Sequence, residues 1–438
     1  MMLFGVPIQL LGPGALLLAS MIAGAIAFFA KDHTVVVVLA LGQALIYVPA
    51  AFWAWQRQGT PAFSMRNTLL FVLGLAAVLR ALILFAPPHS TDIYRYVWDG
   101  RVQAAGINPY LYIPADPALA HLRDEAIYPG INRKEYAPTI YPPTAQIVYW
   151  AATRLGESVT VMKLAMLGFE ALAIWAILSL LAARGLPQYL VLIYAWHPLA
   201  IWEVAGSGHI DVVAMALLLL GILAAERGKA WAAGAALAAA TLAKYFPLVV
   251  APALWRRGDW KMPLAVLLTG AALYVPYLSA GEKIFGFLGG YADEGGLRSG
   301  EGIFLAALFR KIGLGEAALP LFFIVFAALL GTLAWRTTFR DRPEQSDIRG
   351  TFALAAAFTV LVSPPHAWYF LWLIPFLCFV FSPAVLYLTL AATALYRVGW
   401  PPSLTGAGML YGPFMLLMLL ERSKLFSKKE VLHESARD

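Results

Sequence analysis

The feature that most constrains this chain is its succession of unbroken apolar runs, about fourteen of them and each about 20 residues long. Leu10–Ala30 and Thr34–Trp55 contain no Asp, Glu, Lys or Arg at all. Inside a bilayer every backbone N–H and C=O must be satisfied within the protein, so only helices and closed barrels can span it. A barrel requires alternating residues in short strands, and these runs do not alternate. The expected fold is an all-α polytopic membrane bundle of about 12–14 transmembrane helices. Composition agrees: of 438 residues, 61% are hydrophobic and 13% charged, against roughly 25% charged in soluble domains.

The net charge is +7. Its excess lies in short basic connections: Arg57 and Arg66, Arg184, Arg227 and Lys229, Arg256 to Lys261, the loop from Arg336 to Arg349, and a tail with Arg422, Lys424, Lys428 and Lys429. Basic loops mark the cytoplasmic side. They account for the charge and leave nucleic acid without support as a partner. This rule places both termini in the cytoplasm, residues 1–421 in one transmembrane domain and 422–438 in a basic tail. Leu10–Ala30 lacks a basic leader and a small-residue cleavage site, so it reads as a retained helix. The single Cys378 allows neither a disulfide framework nor a cysteine metal site.

The same rule puts an outer loop at 87–156, following the third helix (Asn67–Ala86), and a second at 282–302. Within the first, short helices are expected over Ile93–Ala105 and Thr144–Leu155. Val159–Ala183, Gln188–Ala205 and Ile210–Ala225 are expected as spans. Ala230–Trp255 begins and ends at basic clusters and contains Lys244 and Pro247, so it reads as two short helices with Lys244 at the outer turn. One kinked helix is the alternative.

Thr91–Gln146 is polar in an otherwise apolar chain. It holds Asp92, Arg95, Asp99, Arg101, Arg123, Asp124, Lys134 and Glu135 together with seven tyrosines and Trp98. Carboxylates, guanidiniums and aromatic rings beside a membrane suit a sugar or a phosphate. Asp92 can act as general base for an attacking hydroxyl; the rival reading makes Thr91 or Asp92 a helix cap. Asp99 pairs with Arg95 or Arg101, or shares the substrate. Tyr94, Tyr96 and Trp98 offer stacking faces or an interfacial belt. Tyr141 and Gln146, in TIYPPTAQ, lie within reach of substrate.

Elsewhere, isolated polar groups fall at the expected outer ends of helices. His209 and Asp211 open a helix after the Gly206-Ser207-Gly208 turn. His197 and Glu203 read as partners of each other. Lys244 is the leading cation for a lipid phosphate, with Arg298 and Arg80 as further candidates, and His366 sits in SPPHAWYF. Ionisable groups in membrane segments tend to face a cavity or one another, which predicts one outward-facing polar cavity. Asp92, His209, Asp211 and His366 are also a conceivable divalent-metal set, though no ligand-spaced motif such as HExxH occurs.

The strings DIYRYVWDGRVQAAGINPY (Asp92–Tyr110), YPP (141–143), GHIDVVAM (208–215), LAKYFP (242–247) and SPPHAWYFLW (363–372) resemble bacterial membrane mannosyltransferases close to glycosyltransferase family 87. The resemblance runs from about Arg80 to Trp372, with the first two helices as an addition. It implies the C-type glycosyltransferase fold and a polyprenyl-phosphate-linked hexose donor, most often mannose. It also implies transfer with inversion to a glycan or glycolipid acceptor at the outer face of the cytoplasmic membrane, with membrane lipids as surroundings and no cofactor. An early acidic residue of the first outer loop serves as base in such enzymes and corresponds to Asp92. Where many members carry two adjacent acidic residues, this chain has Thr91-Asp92, and its next carboxylate is Asp99, so both stay open as the base. Tyr94, Arg95, Asp99, Arg101, Tyr141, His209, Asp211, Lys244, Arg298 and His366 are the expected substrate contacts. A transporter or flippase of a lipid-linked sugar is the alternative; it would favour a midplane site and paired halves.

Overall fold

The computed structural model describes residues 2–3, 5–30, 33–58, 64–339, 346–397 and 404–427. Positions 340–345 of the basic loop and the tail from Lys428 and Lys429 onward lie outside the described residues. Among the described residues the fold is all-α apart from a two-residue ladder pairing Met2–Leu3 with Val6–Pro7. Its first helices are α1 (Ile8–Phe29), α2 (His33–Gln56), α3 (Met65–Leu84), α4 (Asp92–Ala104), α5 (Pro143–Thr153) and α6 (Val159–Ala183).

Among the described residues, seven helices are long and apolar enough to cross a membrane, or eight if the bent pair Pro198–Gly206 and Asp211–Glu226 is one span. The protein is a multi-pass membrane protein. Four shorter apolar helices, Ala230–Thr241, Ile348–Val362, Ala367–Cys378 and Pro383–Tyr396, accompany them. Each is too short to cross alone, since about 20 residues are needed for hydrocarbon about 30 Å thick. Among the described residues, fewer single long helices are found than the roughly 12–14 expected.

Local chemistry explains where the breaks fall. Gln188–Ala205 is not one span. The chain turns at His197-Pro198, where proline cannot donate and the His197 ring accepts from Leu199 N at 3.2 Å. Leu242–Tyr245 interrupts Ala230–Trp255, and Phe246–Val250 resumes as a tight helical turn with Pro247 inside it. This matches the two-helix reading, with Lys244 at the break. The stretch 282–302 is not all loop, because Leu288–Glu294 is helical. The last helix runs through Ser427, so the first residues of the expected tail continue it.

α4 and α5 cross closely. A Cβ at Gly100 would lie 2.5 Å from Tyr149 O, so only glycine permits this approach. Beneath them, α3 and α6 are tied by ionic contacts. Arg80 donates to both carboxylate oxygens of Glu170 at 2.7 and 2.6 Å, and to the carbonyls of Ala76 and Ala195. Lys163, fully buried, donates to Ala86 O at 2.6 Å and Leu84 O at 3.3 Å. These ties hold the end of α3, and with it the start of α4, against the core.

Candidate active site

Asp92 is the first residue of α4. The cap reading finds no support in the contacts: Thr91 makes no side-chain cap bond. Asp92 Oδ1 instead accepts from Asn132 Nδ2 at 2.7 Å. The Asp92 side chain lines a polar cavity of about 370 Å³ together with Arg95, Asn132, Arg133, Lys244 and His366. Those residues come from four separate parts of the chain. His89, Tyr141, Tyr291, Tyr369, Tyr396 and Trp368 are also in the wall.

A second, mainly apolar cavity of about 570 Å³ shares Arg133, Tyr141, Lys244, Tyr291, His366 and Tyr369 with the first. Its other walls include Phe246, Leu288, Leu297, Phe358, Val362 and Trp372, with Glu294 at the Arg133 side. One compartment is thus polar, the other greasy, and the cations stand where they meet.

Lys244 Nζ lies 3.3 Å from Asp211 Oδ2 and 4.5 Å over the Tyr369 ring. Asp211 is sealed behind it. Arg133 holds a left-handed backbone, φ 53°, which is uncommon outside glycine, asparagine and aspartate. Its guanidinium binds Glu294 Oε2 at 2.6 Å, while Tyr136 donates to the other oxygen of Glu294. That ties the first polar segment to helix Leu288–Glu294. The Tyr291 and Tyr369 hydroxyls meet at 2.8 Å.

His366 stacks on Trp368, with centroids 4.3 Å apart, and His209 stacks on Trp368 at 4.0 Å. Burial pushes the His366 imidazole down to about 4, against the opposite pull of Asp92. The ring is therefore neutral at physiological pH, able to donate from one nitrogen and accept at the other. His209 does not line either cavity. Its Nδ1 lies 2.7 Å from Glu203 Oε2, which also accepts from Tyr396. So Glu203 meets His209, not His197, whose Nε2 faces Thr389 Oγ1 at 3.1 Å. The Gly206-Ser207-Gly208 turn produces this arrangement: Gly208, at φ 72°, folds the chain back over Glu203.

Several expected contacts lie elsewhere. Asp99 is buried and saturated by Arg95, Thr139 and Gln146, so of the two candidate bases only Asp92 borders the cavity. Arg101 is held by Asp124 and Glu157 outside the site. Tyr94 packs on Gly130. Arg298 pairs with Asp293, its side chain 73% exposed, and it lines neither cavity although its neighbour Leu297 does. Arg80 is consumed by Glu170. Among the described residues no group of three or more His, Cys, Asp or Glu side chains is arranged to hold a metal ion. Asp92 meets Asn132, Asp211 meets Lys244 and His209 meets Glu203, while His366 and His209 both stack on Trp368.

Asn132, Arg133 and Tyr291 were not singled out from the sequence. Arg133 lies beside Lys134 and Glu135 in the polar run, so the local charge was visible. Its partner Glu294, 161 residues away, was not.

The family model for glycosyltransferase family 87 matches residues 139–364, a little over half of the chain. No curated protein and no solved structure matches. The matched stretch carries Tyr141, His209, Asp211 and Lys244, while Asp92 and Arg133 lie before it and His366 just after it. With an all-α, multi-pass fold and a family match over more than half of its length, the chain belongs to glycosyltransferase family 87 and its activity is glycosyl transfer.

Proposed function

We propose that the protein moves a hexose, most often mannose in the resemblance drawn above, from a polyprenyl-phosphate donor to a hydroxyl of a glycan or glycolipid. The carrying observation is that Asp92, Lys244, Arg133 and His366 line one polar cavity that continues into an apolar one. A donor with a charged phosphate between a sugar and a long hydrocarbon chain has the same division of chemistry. The prenyl chain occupies the apolar compartment, the phosphate sits at Lys244 and Arg133, and the sugar faces Asp92.

The acceptor oxygen attacks the anomeric carbon as its proton passes to Asp92. The bond from that carbon to the phosphate oxygen breaks, and polyprenyl phosphate leaves with the electron pair. Attack from the face opposite the phosphate inverts the anomeric centre. Lys244 and Arg133 stabilise charge where it develops on the leaving group, and neutral His366 hydrogen-bonds the phosphate or a sugar hydroxyl. On this reading the site opens at the outer face of the cytoplasmic membrane, and the termini lie inside.

The test uses purified protein in detergent with radiolabelled polyprenyl-phosphate-mannose and a mixed envelope-lipid acceptor. Transfer by the unmodified protein, lost in Asp92→Asn with donor binding retained, supports the reading. Full transfer by Asp92→Asn removes Asp92 as the base.

A further inference from the structure

A third cavity, of about 670 Å³, lies at the far end of α4. Gln103, Asn108, Tyr112, Trp150, Tyr277 and Ser279 are among its walls. Among the described residues its lining carries no charged side chain, whereas the polar cavity at Asp92 is walled by His89, Asp92, Arg95, Arg133, Lys244 and His366. Two large aromatic side chains remain open to the outside: Trp150 is 44% and Tyr112 37% exposed. Ile107, Pro109, Leu111, Ile147 and Pro276 are also in the wall; a purely hydrocarbon ligand would not call for the amides and hydroxyls set among them, and an ionic one would call for charge. Sugar rings need what is present: amides and hydroxyls at the edges, and aromatic faces whose negative quadrupole attracts a ring's C–H groups.

The groove is built, not incidental. Asn108 donates to Tyr277 O at 3.1 Å and to Ser279 Oγ at 2.9 Å. Tyr277 donates to Gln103 Oε1 at 2.8 Å. Gln103 in turn donates to Gln146 Oε1 at 2.9 Å, and Gln146 bonds Asp99, the partner of Arg95 in the wall at Asp92. A second path runs from Tyr277 through the ring of Tyr110 to Tyr141 O, and Tyr141 lines both other cavities. A thin layer of side chains therefore separates the groove from the candidate active site. Along α4, Asp92 and Gln103 are about 16 Å apart at about 1.5 Å per residue.

We propose that this groove binds neutral sugar rings of the acceptor glycan, away from the ring being modified. The proposal rests on the reading of a glycan acceptor given above. It makes the enzyme selective for acceptors long enough to reach from Asp92 to Trp150, and indifferent there to acceptor charge.

The experiment titrates full-length protein in nanodiscs with neutral mannose oligosaccharides of increasing length, without donor. It reads tryptophan fluorescence and saturation-transfer NMR. Affinity should rise with length, and Trp150→Ala and Tyr112→Ala should each weaken it about tenfold, the scale of one aromatic contact. Both side chains are half-open, so truncation is expected to spare the fold. In transfer assays Trp150→Ala should raise KM for a long acceptor and leave kcat, and the KM of a single-sugar acceptor, unchanged. Absence of binding across the series, or binding indifferent to both substitutions, overturns the proposal. So does a Trp150 signal quenched by brominated lipid and unmoved by sugar, which marks a membrane anchor. Because binding is read without donor, failure of the polyprenyl-phosphate reading would leave this result standing, and transfer without any Trp150 dependence would sink the groove alone.

Discussion

Two buried ion pairs in this bundle have similar composition and opposite surroundings. Arg80 and Glu170 form a closed pair: two short parallel contacts, two carbonyls on the guanidinium, and Tyr194 on the carboxylate. Lys244 and Asp211 form an open one. A single 3.3 Å contact joins them, and the lysine side chain is 12% exposed at the wall of two cavities. Arg80 has four of its hydrogen bonds made and little left to give a ligand. Lys244 has three donors and one carboxylate, so a phosphate can join without displacing Asp211. Charge inside a membrane segment flags both pairs equally. What separates scaffold from site is the space beside the charge.

The comparison can be broken most forcefully at Asp92. In Asp92→Asn the amide oxygen still accepts from Asn132, so folding should hold while transfer falls about 10²–10⁴-fold, the range for loss of a general base. Sugar release measured against thermal stability in the same preparation checks this. Glu170→Gln should do the reverse. It leaves Arg80 uncompensated and should cost about 3–5 kcal/mol of stability, read as loss of folded protein on heating, while transfer per surviving folded molecule is kept. An inactive but fully stable Glu170→Gln protein would erase the distinction drawn here.

Lys244→Gln belongs on the open side. Transfer should drop by about 10²–10³-fold, as when one charge-stabilising donor is removed, with a loss in melting as well, because the sealed Asp211 carboxylate loses the amine beside it. Milder still is the response to pH at His366. Its imidazole is held down to about 4 in the fold, against 6.5 when free. The unfolded chain therefore binds the extra proton between those values, and stability falls as pH drops from about 6.5 to about 4. Melting curves across that window should show the loss, and His366→Gln should flatten it. Arg298→Ala, whose side chain is mostly exposed, should change stability by less than about 0.5 kcal/mol and leave transfer intact. A substantial loss there would mean that a surface ion pair matters to the site after all.

How much of this was legible beforehand depended on the range of the interaction. The helices α1, α2, α3 and α6 lie within a residue or two of their apolar runs, because hydrophobic length is local. The break at Lys244 was readable from Pro247, and α4 and α5 from the change in polarity around them. Lys163 and Glu170 stand out within the apolar run of α6 and offered a signal that went unused. Arg133 did not: its place depends on Glu294 and on helix Leu288–Glu294, which sequence spacing cannot bring to it. The expected His197–Glu203 pair failed for the same reason. Two polar groups six residues apart look like neighbours until a proline and a glycine turn them to different sides.

The ties between α3 and α6 also bear on how the chain enters a membrane. A lone lysine or arginine at the centre of a helix costs about 2.5–3.5 kcal/mol to insert by translocon scales. α3 emerges first, with Arg80 and no counter-charge. α6 follows, carrying both Glu170 and Lys163, and supplies the carboxylate that Arg80 needs. It also brings the amine that seals the carbonyls of Leu84 and Ala86. Each is apolar enough to cross, and its charges cost less beside the other. Since the whole polar run lies between them in the sequence, the pair can lock only after the segment bearing Asp92 has been synthesised, and biogenesis finishes the floor of the active site in the step that stabilises the bundle.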